Sequence, residues 1–198
     1  MASVIDICNM ALSRLGCTKI TSIEEESTTA KACKIEFEPT RDSILRDYPW
    51  NFATKIESLA LLDNEEYFGW EYVYSYPKSC LFDRKIFNEA TYNSVDKQPY
   101  RIISSNINSK LLILCNLDDA YMEYTAKITD TTLFDASFVD AFAWKLAANL
   151  AKPLTGNAEL AINLMRTYYQ VIDKAAVNNA SEVYEKPKRK SSLFDSRG

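Results

Sequence analysis

The sequence predicts a mainly α protein with a β insertion (α+β): a helical bundle built from the N- and C-terminal helices, an antiparallel β region between them, and an extended C-terminal arm. Three observations carry this prediction. Apolar residues recur at helical spacing at both ends of the chain, the period shifts to two in the middle, and the last residues turn polar and basic with no period at all. The 198 residues, 47% hydrophobic and 25% charged, suffice for one sizeable core, so a single domain is expected over residues 1–185, with the arm at 186–198.

The first helix is expected at about residues 4–15. Ser3 and Asp6 have capping-box spacing, Ile7, Cys8, Ala11, Leu12 and Leu15 form an apolar stripe, and Gly16 supplies the stop. A polar linker follows from Thr18 to Thr29, in which the adjacent Glu24, Glu25 and Glu26 read as a solvated loop ahead of a helix N-terminus. The second helix, about residues 28–48, carries Ala30, Cys33, Phe37, Ile44, Leu45 and Tyr48. Pro39 lies inside that stripe, where it removes the hydrogen bond to the Ile35 carbonyl at a cost of ~3 kcal/mol in a straight helix. A kink or break near residues 35–38 is therefore expected. Pro49 ends the helix, because the residue before a proline is biased away from helical backbone.

The run Tyr48-Pro49-Trp50-Asn51-Phe52-Ala53 then forms an aromatic plug. Two rigid rings beside a proline make an anchor, with no catalytic group among them.

From about residue 55 to 128 the pattern is that of strands. Trp70, Tyr72, Tyr74 and Tyr76 fall on one face of a strand, with Glu71, Val73 and Ser75 on the other, and the absence of interleaved Arg or Lys favours a packed sheet face over a base-stacking platform. Further strands are expected at 55–62, 80–82, 86–87, 101–104, 111–115 and 121–128. Helical spacing returns over about 133–152, with Thr132 as cap, Asp135 three residues on, and Pro153 as the stop. After the turn that contains Gly156, a last helix spans about 157–183. Alanines at 141, 143, 147, 148 and 151 permit close approach, so these two helices should form an antiparallel hairpin packed on the first two.

Composition narrows the chemistry. There is no histidine, which removes Ser-His and Cys-His nucleophilic machinery and His-ligated metals. Cys8, Cys17, Cys33, Cys80 and Cys115 are odd in number, have no CxxC spacing, and read as reduced core thiols. No cofactor or metal is expected. Neither a secretory leader nor an apolar run of ~20 residues is present, so no membrane association is expected. Twelve Tyr, nine Phe and three Trp favour cores and protein interfaces alike, which tilts the reading towards a subunit of an assembly.

Residues 186–198 carry a net charge of +4, which taken from the chain total of −4 leaves −8 on the preceding 185 residues. Lys186, Lys188, Arg189, Lys190, Leu193 and Phe194 have the composition of an arm that orders on a partner. A solubilising tail and a sequence-independent phosphate contact are the alternatives.

Read in order, several segments resemble the head-to-tail adaptor family of tailed phages, also called tail tubular protein A. They are Ile5 to Gly16 (IDICNMALSRLG), Ile23 to Cys33, Arg41-Asp42 leading into Tyr48 to Ala53 (YPWNFA), and Trp70 to Pro77 with Cys80-Leu81; further on come Tyr124-Thr125-Ala126 and Thr129 to Gly156, which ends in LAKPLTG. The resemblance covers most of residues 4–175. It implies a structural virion protein with no catalytic activity, found at the head-tail junction and made in the host cytoplasm. Such a protein forms a homo-oligomeric, usually dodecameric ring beneath the portal protein, extends the channel through which double-stranded DNA passes, and presents a platform for the downstream tail or nozzle protein. By the same resemblance Lys186 to Phe194 are the portal-contacting residues, while Tyr48, Pro49, Trp50, Asn51, Phe52, Pro153 and Gly156 belong to the structural signature. Tyr48 stands where a His is common in the family, and Pro39 is unusual in its helix. A nucleic-acid-binding accessory protein led by the basic tail and a carboxylate-dependent wall hydrolase are the competing readings. No pair among Glu24 to Glu26, Asp118-Asp119 or Asp135 and Asp140 is singled out for the latter.

Overall fold

A computed structural model describes residues 2–63, 66–105 and 110–182, with side chains described through Val177 in the last helix. It has the α+β architecture expected: four helices from the two ends of the chain, and two three-stranded antiparallel sheets between them.

Helix α1 (Val4–Arg14) begins with the capping box: Ser3 Oγ accepts from Asp6 N, and the Asp6 carboxylate accepts from Ser3 N. It ends in a Schellman turn. Cys17 N donates to Leu12 O at 3.0 Å and Gly16 N to Ser13 O at 3.2 Å, with Gly16 at φ 67, a conformation that favours glycine.

Helix α2 (Thr28–Asp47), capped by Ser27, runs unbroken through Pro39, so the expected break near 35–38 does not occur. Ile35 and Pro39 lie on the exposed face, where water can satisfy the carbonyl that the proline orphans.

Helix α3 (Ala136–Thr155) departs from expectation at both ends. Its N-cap is Asp135, whose Oδ1 accepts from Phe138 N at 2.7 Å; Thr132 instead sits in a short 3-10 turn capped by Asp130. At the other end the helix passes through Pro153 and stops at Gly156, which is left-handed at φ 68 and donates to Lys152 O. The stop is therefore the glycine, while the exposed proline is absorbed in the last turn. Helix α4 (Ala158–Glu182) returns along α3, and Ala141, Ala143, Ala147, Ala148 and Ala151 are all buried. α3 is the centre of the bundle, packing against α1, α2 and α4.

Strands β1 (Thr54–Ser58), β6 (Tyr121–Ala126) and β3 (Cys80–Phe87) form one sheet in the order β1-β6-β3. The two fragments expected at 80–82 and 86–87 are thus one strand, with irregularities in its pairing between Cys80 and Phe82 and between Asp83 and Lys85. Strands β2 (Tyr72–Ser75), β5 (Leu111–Cys115) and β4 (Tyr100–Ser104) form the second sheet in the order β2-β5-β4. The segment expected as one strand at 55–62 serves both sheets. After β1, Leu59 N still bonds Ala120 O on the first sheet, whereas Ser75 N bonds Ala60 O and Leu62 N bonds Val73 O on the second. The sheets are also tied by Tyr100 Oη, which donates to Asp83 Oδ2 at 2.5 Å.

One main core joins the bundle to the sheets, through residues such as Tyr74, Ile86, Ile113, Met122 and Tyr124. A small second cluster of Val73, Leu112 and Leu114 is covered in part by Tyr67 and Trp70. Trp70 therefore packs with Val73, on the side opposite Tyr74, because it precedes the strand and escapes its alternation.

Candidate functional site

The aromatic plug is built where α2 ends. Tyr48 is the C-cap in extended backbone, and a 3-10 turn over Asn51–Ala53 delivers the chain into β1. Trp50 is fully buried, and its Nε1 donates to Ile44 O at 3.0 Å. Its ring meets Phe138 of α3 edge-on at 5.2 Å and Tyr48 at 5.2 Å. Phe52 packs on Phe138 at 5.0 Å and on Phe134 at 5.8 Å. Tyr48 Oη donates to Ala176 O of α4 at 3.3 Å, while Pro49 and Asn51 lie at the surface. The plug thus welds α2, α3 and α4 at one point.

The other signature residues are elsewhere. Pro153 and Gly156 lie at the far end of α3, Pro153 fifteen residues beyond Phe138, or about 22 Å along the helix axis. The two motifs do not converge on one site; one packs against the start of α3 and the other forms its end. Lys186, Lys188, Arg189, Lys190, Leu193 and Phe194 lie outside the described residues.

The acidic residues of the linker and of α3 have local partners. Glu25 accepts from Thr21 and Ser22, which lowers its pKa, chiefly through the Thr21 hydroxyl; Glu24 pairs with Lys34 and Glu26 with Lys31. Asp135 is a helix cap, and Asp140 holds Arg14 at 2.7 Å while that guanidinium lies 4.2 Å from the Trp144 ring centroid. No group of three or more Cys, Asp or Glu able to hold a metal occurs among the described residues. All five cysteines are free thiols; Cys8, Cys33 and Cys115 are buried, and Cys17 and Cys80 half-buried. Cys8 and Cys33 interact across α1 and α2, which pushes the Cys8 thiol well above its ordinary range.

Two polar clusters escaped sequence reasoning. The first is a clasp between helices: Lys145 Nζ of α3 donates to Ser43 Oγ at 2.8 Å and to Asp47 Oδ2 at 2.5 Å, both on α2. Tyr168 of α4 donates to the same Asp47 oxygen at 2.5 Å, and burial, then that bond, raises its phenol far above the usual range. A serine beside a lysine can serve nucleophilic catalysis when the lysine is free to take the serine proton. Here Nζ donates to the serine oxygen and is engaged by a carboxylate, so the arrangement is a structural clasp. The second cluster joins Arg46 of α2 to Phe82 and Arg84 of β3. The Arg46 and Arg84 guanidinium carbons lie 5.6 and 5.4 Å from the Phe82 ring centroid. Arg84 fell between the two strand fragments expected at 80–82 and 86–87, and Arg46 arrives from another element.

No helix among the described residues is long and apolar enough to cross a membrane. No protein-family model matches the chain, and a search of curated proteins returns no match.

Proposed function

We propose that the chain is a head-to-tail connector of a tailed phage: a structural virion protein that assembles as a dodecameric ring beneath the portal protein, extends the DNA channel and attaches the tail. The observation that carries this reading is the position of the two motif runs at the two ends of α3, one packed against its start and the other forming its last turn. Trp50 and Phe52 pack against Phe138 at its start, and Pro153 to Gly156 make the turn into α4 at its end. The residues behind the resemblance are therefore those that build the bundle, and the chain direction of α4 leads on to the basic arm at 186–194, the proposed portal contact. The charge of −8 outside that arm supports an unobstructed DNA passage, since like charge keeps the duplex from adhering.

Mixing the purified chain with its portal and measuring mass tests the reading, together with mass spectrometry of purified virions. A ring of the chain on the portal is the expected result. Monomer alone in the mixture, with no copy in virions, would sink it. Tight DNA binding with a steep salt slope that disappears on deleting residues 186–190 would replace it with a nucleic-acid accessory protein. Clearing of peptidoglycan by the purified chain would replace it with a wall hydrolase.

A further inference from the structure

Phe82 is 39% exposed on the sheet β1-β6-β3, flanked by the guanidinium groups of Arg46 and Arg84. Both arginines are fixed by neutral acceptors. Arg84 donates through Nε and Nη2 to Thr125 Oγ1, a residue with no exposed surface, and Arg46 Nη1 donates to Leu81 O at 2.8 Å. Among the described residues no carboxylate lies within ion-pair distance of either. Arg84 is nonetheless partly withdrawn from water, which pulls its pKa below the ordinary value, and Glu123 on the same sheet offsets this only from a distance. A pre-positioned arginine pair around an exposed ring, one member partly desolvated and neither with an anion of its own, has the chemistry of an interface centre awaiting carboxylates.

Such carboxylates stand at the other end of the same sheet. The register pairs Phe82 with Thr125 at one end and Phe87 with Tyr121 at the other. Glu89 follows Phe87, and Asp118 and Asp119 precede Tyr121. All three are exposed and none is ion-paired among the described residues; Asp118 accepts only from Asn88 at the side-chain level, at 3.1 Å. The two patches are roughly 20 Å apart along β3. A nucleic-acid backbone fits the basic patch less well, since the body around it carries net negative charge.

We infer that the Arg46/Phe82/Arg84 patch of one copy docks on the Glu89/Asp118/Asp119 end of the next copy, a head-to-tail contact that repeats around a closed ring. This rests on the ring reading above and names the subunit contact within it.

The test uses the full chain in sedimentation velocity, alone and with the portal protein, with circular dichroism to establish that each variant is folded. R46E and the double variant E89R/D118R should each self-associate at least about tenfold more weakly than the unaltered chain. Mixed in equal amounts, they should assemble again, because in an alternating ring the carboxylate introduced at position 46 faces the guanidinium groups introduced at positions 89 and 118, and the intact arginine pair of one variant faces the intact carboxylates of the other. Normal assembly by either variant alone, or no recovery on mixing, would overturn the inference and leave the ring reading standing. An unaltered chain that stays monomeric with and without portal, with no copy in virions, removes both. Loss of DNA binding by R46E with assembly unchanged would reassign the patch to phosphate contact and overturn the inference as well.

Discussion

The indole nitrogen of Trp50 donates to the carbonyl oxygen of Ile44 at 3.0 Å, so the plug is bonded to the helix that it closes. With no exposed surface on Trp50, truncation removes both the bond and the packing on Phe138 and Phe52. Trp50→Ala should cost about 3 to 5 kcal/mol in urea unfolding. Trp50→Phe keeps much of the volume and leaves the carbonyl without its donor, and about 1 to 3 kcal/mol is expected. Unchanged stability with only assembly lost would instead place the ring's role at a subunit contact.

The clasp of Lys145, Asp47 and Tyr168 predicts energetic coupling between three helices. The Lys145 side chain is 13% exposed, so its bonds are shielded from water competition. A double-mutant cycle of Lys145→Met with Asp47→Asn should return a coupling of about 1 kcal/mol or more, and additive effects would show that the pair does not act as a unit.

Alkaline stability follows from the buried phenols. Burial, then a bond to a carboxylate, raises Tyr168 and Tyr100 above the ordinary tyrosine value. A folded-state pKa above the unfolded one means that the folded chain holds its proton longer. The contribution is therefore complete below about pH 10 and is lost as pH rises beyond it. Urea midpoints measured upward from neutral pH should fall on that limb, and Tyr168→Phe should flatten the fall.

The acid limb has the opposite sign. Hydrogen bonds from Thr21 lower Glu25 and those from Thr132 lower Asp130, so their contribution is present above the usual carboxylate range and lost as pH falls through it. Glu25→Gln should make thermal stability less dependent on pH below about 4.3. An unaltered acid slope would mean that the Thr21 bonds do not persist in solution.

Pro39 offers a test in the stabilising direction. It is an exposed residue inside a continuous helix, so Pro39→Ala should restore a bond to Ile35 O and raise stability by up to about 3 kcal/mol. A loss of stability would mean that the proline shapes α2 for its packing on α3.

Where a signal is local, it was legible in sequence. The Ser3/Asp6 box, the Gly16 stop and the β5 strand were visible because caps, positive-φ glycines and short apolar runs depend on residues close in the chain. Pro153 misled because a proline in the last turn of a helix need not end it when a left-handed glycine follows. Trp70 misled because period two was extended beyond the strand that enforces it.

The helix-sheet-helix order was legible from the chain alone, since the period of the apolar residues encodes which face of each element is buried. Packing in three dimensions is what puts Lys145, Asp47 and Tyr168 in one clasp, joins Arg46 to Phe82 and Arg84, and sets the plug and the Pro153–Gly156 turn at opposite ends of α3. Asp47 and Tyr168 are 121 positions apart and Arg46 and Phe82 are 36, and side chains so distant in sequence become neighbours only when packing fixes the elements that carry them.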